Sequence, residues 1–307
     1  MLTSFFSKSK PINFIIVSIY IILGWFYWFL LVNEQITASS FFNIQSVLIF
    51  IVLFSVFLLN FIIRKNKLTG INTYSILSFG CFILLFPEVF FQSNVITPNL
   101  FLLFAFRRIM SLNSGLNMEK KILDASIWIT IASLFYFWCI LFFMVLFVAI
   151  FQIGSKNYKL TLIPFVGFLA VTIILTAIKV VQTNSFLWFL DIDTSLSLDF
   201  QNYNSLSLII PISFITLLLI WTTIQKVINF SEIRLMEKSN SFSLIIILLI
   251  SVTTILFIPS KNGAEFLYIM APLAILTTNF IENIPKYWLK EILLWILITL
   301  PILVMFL

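Results

Sequence analysis

The sequence has no histidine, only two cysteines and few charged residues, which make up 10% of the chain. Without histidine the protein cannot build His-ligated iron, copper or zinc sites, a histidine general base or a Ser-His-Asp triad. Cys81 and Cys139 lie inside apolar runs and lack the spacing of a metal site or a redox pair. Any chemistry must therefore use carboxylates, lysine, arginine, tyrosine or the backbone, and we predict no metal and no cofactor.

Apolar residues dominate instead: 61% of the 307 residues are hydrophobic. Soluble domains carry about 25% charged residues, whereas here apolar runs of about 18 residues or more recur from end to end. The strands of a porin-like barrel would alternate polar and apolar residues in runs of about 10. The sequence therefore predicts an all-α polytopic membrane protein, a single transmembrane domain over residues 1–307 with no soluble domain.

The basic residues predict the orientation. Lys8 and Lys10 precede an apolar run, Ile12–Val32, that is too long for a signal peptide and is not followed by an A-x-A cleavage site. With the N-terminus in the cytoplasm, most lysines and arginines lie on the cytoplasmic side of a bacterial inner membrane, as the positive-inside rule requires. The net charge of +6 then results from lysines and arginines in the cytoplasmic loops, and we predict no nucleic-acid partner.

The segment Ser126–Ile150 determines the number of crossings. As one helix it would place Lys156 and Lys159 outside, whereas two short helices folded back near Tyr136–Cys139 return them to the cytoplasm. We therefore predict about eleven crossings, or ten if the segment is one helix. The predicted spans are Ile12–Val32, Ser46–Ile63, Ile71–Phe91, Pro98–Met110, the two halves of Ser126–Ile150, Leu160–Val181, Ser207–Ile224, Phe242–Ile258, Glu265–Phe280 and Trp288–Leu307.

Several acids fall on the predicted outer side. Ionisable residues at the ends of spans or within them are functional hypotheses because they are costly there. Glu88, in FPEVFF, is one such residue, and the alternative is an interfacial carboxylate that contacts headgroups and water. Glu265 could equally complement the dipole in the first turn of a helix. Glu34 is the sole acid of the short first external loop, Asn33–Gln45.

Two lysines remain on the outer side in this topology, Lys179 and Lys261. Lys261 lies in IPSKNGAEF, beside Gly263 at a tight turn. It is either a lysine that snorkels at the outer surface or a phosphate contact next to backbone N–H groups. Asp191, Asp193 and Asp199 lie in the loop WFLDIDTSLSLDF and are interpreted as solvated, as most loop acids are. The alternative is that D-I-D binds a divalent cation, although the loop lacks the glycine and distal glutamate of a calcium site.

Two stretches resemble the multi-pass GT-C glycosyltransferases, which take sugars from polyprenyl-phosphate donors at the outer face of the membrane. Phe257–Leu276, FIPSKNGAEFLYIMAPLAIL, is similar to a late segment of the aminoarabinose and protein-mannosyl transferases, with Lys261, Tyr268 and Pro272 at matching places. The second is an Arg-bearing short helix, a cytoplasmic loop and the folded-back helix ASIWITIASLFY. The whole chain also looks like an uncharacterised family of Bacteroidota multi-pass inner-membrane proteins.

Two functions remain open. The resemblance implies a glycosyltransferase that uses a polyprenyl-phosphate-linked sugar, with Glu34 or Glu88 as the general base. The residues that would bind the substrate are then Lys261, Lys179, Glu265 and Tyr268. The alternative is a non-catalytic subunit or scaffold of an envelope export, polysaccharide or gliding-motility assembly, which the short first loop favours because the family's catalytic acid lies on a long one. Membrane lipids are partners in both cases.

Overall fold

The computed structural model describes residues 1–32, 38–153, 158–184, 186–187, 189, 192–232, 235–259 and 261–306. These residues contain α-helices and short 3-10 turns, and no strand lies among them. The helices are α1 Leu2–Phe6, α2 Pro11–Val32, α3 Ala38–Asn66, α4 Tyr74–Leu84, α5 Ser93–Met110, α6 Met118–Phe135, α7 Phe142–Gln152, α8 Lys159–Thr183, α9 Leu206–Ile228, α10 Leu235–Phe257, α11 Leu267–Asn283 and α12 Tyr287–Val304.

Within the described ranges, eight helices are long and apolar enough to cross a membrane. These are α2, α3, α5 and α8 to α12, while α4 and α7 belong to shorter apolar helices. Helix α8 buries little of its apolar surface inside the protein, as expected of a helix that faces lipid. The prediction of an all-α polytopic membrane protein is confirmed, and the number of crossings stays a prediction.

The chain divides into two compact units. The first comprises Met1–Ile96, Asp199–Arg234 and Lys261–Leu307, and the second comprises Thr97–Leu198 and Leu235–Ser260. Helix α5 begins in the first unit and continues in the second. The single transmembrane domain stays a prediction.

Helix α4 forms the core of the first unit, and every residue of it is buried. A helix that is apolar on all faces belongs in such a core. Close approach to α2 depends on small residues, because a Cβ on Gly80 would lie 2.8 Å from Val17 Cγ1 and one on Gly24 would lie 2.2 Å from Leu84 Cδ2. The order of these contacts shows that α2 and α4 run in the same direction.

Helix α12 runs parallel to α2 as well. Tyr20 and Tyr27 donate hydrogen bonds to the carbonyl oxygens of Ile298 and Met305, at 2.8 and 3.1 Å. Helix α11 runs the opposite way to α4. The Gly70 N–H, ahead of α4, bonds Glu282 at the end of α11 at 2.9 Å, whereas residues that follow α4 contact the start of α11.

The segment Ser126–Ile150 is broken in the structure. Helix α6 ends at Phe135, Tyr136 adopts an extended backbone, and α7 begins at Phe142 after a 3-10 turn. The segment is therefore two helices, with the break where the sequence predicts it.

Helix α7 folds back along the second unit. Trp138, in the 3-10 turn, lies 5.2 Å from the Phe257 ring at the end of α10. At the other end of α10, the Ser239 hydroxyl bonds Gln152 Oε1 of α7 at 2.6 Å, and the Asn113 amide, ahead of α6, bonds Asn240. Because α6 starts and α7 ends at the same end of α10, the two helices form a hairpin.

Some predicted boundaries are wrong. The uncharged loop predicted over Gln92–Thr97 is helical from Ser93, because Val95 and Ile96 are buried and the helix extends to pack them. The span predicted from Phe242 begins at Leu235, and the short helix α1 was not predicted. Its amides at Leu2 and Thr3 bond the Glu291 carboxylate of α12, a tertiary contact that no local pattern indicates.

Candidate functional site

The turn Lys261–Phe266 leads into α11 at one end of the first unit. Gly263 adopts φ +94°, the left-handed region that favours glycine. A Cβ at this position would lie 2.8 Å from Phe86 Cδ1 and 2.9 Å from Leu208 Cδ2. Both the backbone and the available space therefore require glycine, and the turn packs tightly against its neighbours.

Glu265 is buried in this turn, with only 1% of its surface exposed. Its carboxylate accepts a hydrogen bond from the Tyr203 hydroxyl and another from the Asn262 N–H at 3.3 Å. Burial, and then the charge of Glu265, raise the pKa of Tyr203, so this hydroxyl stays protonated and acts as the donor. Buried carboxylates need such partners because they have lost hydration by water.

Lys261 is also 1% exposed, and its ammonium lies 4.3 Å from the centre of the Phe200 ring. A cation over an aromatic face is attracted by the ring quadrupole. Burial lowers the pKa of Lys261, although the charges of Glu265 and Asp199 act in the opposite direction. The alternative of a lysine that snorkels at the surface is wrong, because such a lysine keeps its charged head in water.

Aromatic rings join the segments around this turn. Phe86 stacks on Phe266 with ring centres 4.9 Å apart, and Tyr203 lies 6.0 Å from Phe266 and from Phe200. These distances are within the range of favourable aromatic pairs. The rings therefore hold three segments together, 86–91, 199–203 and 261–266. We call Lys261 and Glu265, together with the Tyr203 and Phe200 rings that contact them, the buried cluster. Lys261 and Glu265 are buried, Tyr203 is half-buried and Phe200 is exposed.

Glu88 belongs to the first of these segments. It lies in the 3-10 turn Pro87–Phe91, where Val89 and Phe90 are buried and anchor the turn while Glu88 is exposed. Partial burial raises the pKa of Glu88. A carboxylate with a raised pKa is better matched to the work of a general base near neutral pH.

The remaining predicted site residues lie in different places. Tyr268 is buried in α11, one turn after Glu265. Lys179 is half-buried on α8, in the second unit. Glu34 lies outside the described residues. The structure thus brings the turn of Glu88 together with Lys261 and Glu265, and the roles of all six residues stay predictions.

Tyr203 and Phe200 are not among the site residues that the sequence predicts. The acids of this loop are expected to be solvated, and no motif in DFQNY marks its two aromatic residues as part of a site. An aromatic residue next to an acid in an outer loop could have indicated a buried contact. Among the described residues, no group of three or more histidine, cysteine or acidic side chains is placed to hold a metal ion.

The described helices define a polytopic α-helical membrane protein with a buried cluster of ionisable residues at one end of its first unit. The chain belongs to the family of unknown function DUF6427, which matches it over residues 1–307. No curated protein and no solved structure matches the chain. The likeness to GT-C glycosyltransferases therefore stays a prediction.

Proposed function

We propose that this protein transfers a sugar from a polyprenyl-phosphate-linked donor at the outer face of the bacterial inner membrane, on a GT-C-like frame of eleven crossings. The helix directions support this frame. In the first unit α2, α4 and α12 run one way and α11 the other, and in the second unit α6 and α7 form a hairpin. Eleven alternating crossings require the same directions.

One observation supports the proposed activity most directly. The turn with Glu88 and the turn with Lys261 and Glu265 are distant in sequence, and the Phe86–Phe266 stack brings them together. A sugar transferase of this kind needs a general base for the acceptor and a cation for the phosphate of the donor. Both groups are present at this end of the first unit.

In the proposed reaction the acceptor hydroxyl oxygen forms a bond to the anomeric carbon of the sugar. The bond from that carbon to the phosphate oxygen breaks, and the polyprenyl phosphate leaves with the bonding electrons. Glu88, or Glu34, takes the proton of the acceptor, and Lys261 offsets the charge on the phosphate. Phe200 covers the Lys261 ammonium, so the loop Asp199–Tyr203 moves aside when the donor binds.

Complementation of a deletion strain tests this activity. The strain receives wild type, Glu88→Gln, Glu34→Gln or the control Asp193→Asn, which removes an exposed loop acid. We expect lipid-linked sugar to accumulate and the glycan product to disappear in the deletion strain and in at least one glutamate variant, at unchanged expression. Full product in both glutamate variants would contradict the proposal.

A second function, a non-catalytic subunit of an envelope assembly, is favoured by a different observation. Lys261 and Glu265 are each 1% exposed, and the Glu265 carboxylate already has hydrogen-bond partners. Such a cluster stabilises a fold without contacting a substrate. This function predicts that the exposed acid Glu88 and the loop acid Glu34 both tolerate substitution, and that the protein co-purifies with a fixed partner subunit at constant ratio.

A further inference from the structure

A polar cavity lies in the first unit at the far end of α11 from the buried cluster, where α9 and α11 both end. Its volume is about 60 Å³, and a cavity needs only about 10–15 Å³ to hold one water molecule. The cavity therefore has room for a small polar group. We call it the amide cavity, and its polar lining consists of Thr222, Gln225, Lys226, Asn229, Asn279 and Asn283.

The lining is suited to an anion. The described residues of the lining comprise one cation, four amides and a hydroxyl, and none of these described residues is a carboxylate. The orientation of the Asn279 amide that satisfies both of its neighbours donates to the Leu68 carbonyl at 3.0 Å and accepts from the Lys226 ammonium at 3.2 Å. This contact holds Lys226 at the wall. The nearby carboxylate of Glu282 is directed to the Gly70 N–H and to Asn72 instead.

The surroundings place the amide cavity at the depth of lipid headgroups. Trp221, one turn before Gln225, is 54% exposed and lies 6.3 Å from the Phe280 ring. Exposed tryptophans on membrane helices concentrate at the interface between lipid and water. Phe280 and Leu276 form an apolar wall of the same cavity. A ligand with a charged head and an apolar chain fits this combination.

We propose that the amide cavity binds the phosphate group of a membrane lipid through Lys226 and the surrounding amides. Lysine binds phosphate as a point charge, and basic pockets between transmembrane helices accept anionic headgroups. The predicted topology puts this end of the first unit on the cytoplasmic side, where Lys67, Lys286 and Lys290 also lie. The site is independent of the transfer reaction proposed above, because it lies at the opposite end of α11.

Binding measurements on purified protein in detergent test the site. The probes are dioleoylphosphatidylglycerol, dioleoylglycerol, which has the same chains without phosphate, and inorganic phosphate. We expect the phosphatidylglycerol to bind more tightly than the other two. Lys226→Gln should weaken its binding about tenfold, the loss expected for one charge-assisted hydrogen bond, and leave dioleoylglycerol unchanged. Lys226→Arg, which keeps the charge, should stay within about threefold of wild type.

The matched control is Lys286→Gln, which removes an exposed lysine at the same end of the first unit. An equal loss in Lys286→Gln would show a general effect of surface charge and overturn the site. Equal binding of dioleoylglycerol would show that the phosphate is not recognised and would also overturn it. Inorganic phosphate that binds as tightly as the lipid, with the same loss in Lys226→Gln, would assign the cavity to free phosphate and overturn the lipid assignment. Elution of each variant as a single monodisperse peak is the control for folding.

Discussion

The two ends of the first unit hold their ionisable residues in opposite ways. At one end, Lys261 and Glu265 are each 1% exposed and are enclosed by aromatic rings. At the other end, Lys226 and Glu282 are half-buried and bond amide groups and backbone. Charges that have lost hydration depend on their partners far more than charges that water still reaches. The same substitution should therefore have a large effect at one end and a small one at the other.

The largest expected effect comes from removing a charge of the buried cluster. Glu265→Leu removes the acceptor of the Tyr203 hydroxyl and leaves Lys261 with less compensation. We expect the free energy of unfolding to fall by about 4 kcal/mol, because the Tyr203 hydroxyl and the Asn262 N–H lose their acceptor and the buried Lys261 loses a nearby opposite charge. The double variant Lys261→Met with Glu265→Leu should recover most of that loss, because apolar side chains of similar volume often replace buried charged groups without cost. Thermal unfolding in detergent measures both.

Glu282→Gln is the matched substitution at the other end. It keeps an acceptor for the Gly70 N–H and removes a charge that water still reaches, so the free energy of unfolding should change by less than about 1 kcal/mol. Equal stability of wild type and Glu265→Leu would contradict the comparison. That result would mean that the opposite charges of Lys261 and Glu265 do not contribute to the stability of the folded protein.

Two glycines extend the comparison to the backbone. Gly263→Ala forces a Cβ into the left-handed region and against Phe86 and Leu208, and we expect a loss of about 3 kcal/mol from strain and overpacking together. Gly70, at the opposite end, has a Cβ position 3.2 Å from Glu282 Oε1, the far end of a flexible side chain. Gly70→Ala should therefore cost less than about 1 kcal/mol. Equal melting temperatures of the two variants would contradict this reasoning.

The sequence predicts most of the helices and the break in Ser126–Ile150, because apolar length and the distribution of basic residues are properties of the chain itself. It also singles out Lys261 and Glu265, since charges are rare in an apolar sequence. It does not predict that they are buried. Their burial depends on the conformation of the loop Asp199–Tyr203, which has no period and contacts a turn 62 residues away.

The amide cavity is a second feature that the sequence does not predict. Asn279, Asn283 and Gln225 are uncharged, and each is unremarkable in a segment near the end of a helix. They form one site only because α9 and α11 end at the same place in the first unit. The sequence gives the length and polarity of each helix, but which helix ends meet is a matter of tertiary packing.

The smallest expected effect comes from Glu88→Gln, which tests whether the protein shields Glu88, as well as Lys261 and Glu265, from water. Glu88 is exposed, yet partial burial raises its pKa above the usual value of 4.5. Between those two pKa values the folded state holds more protons than the unfolded state, so the free energy of unfolding falls as pH rises through this window. Glu88→Gln should remove that part of the slope and change the stability at pH 7 by less than about 0.5 kcal/mol.

Melting temperatures of wild type and Glu88→Gln from pH 4 to pH 7 measure the difference. The control Asp193→Asn should change this part of the curve little, because hydrogen bonds from Ser195 lower the pKa of Asp193 from 3.8 and its contribution to stability is lost mainly below pH 4. Parallel curves for wild type and Glu88→Gln would show that Glu88 is fully hydrated and that the protein shields only Lys261 and Glu265 among these three ionisable residues from water.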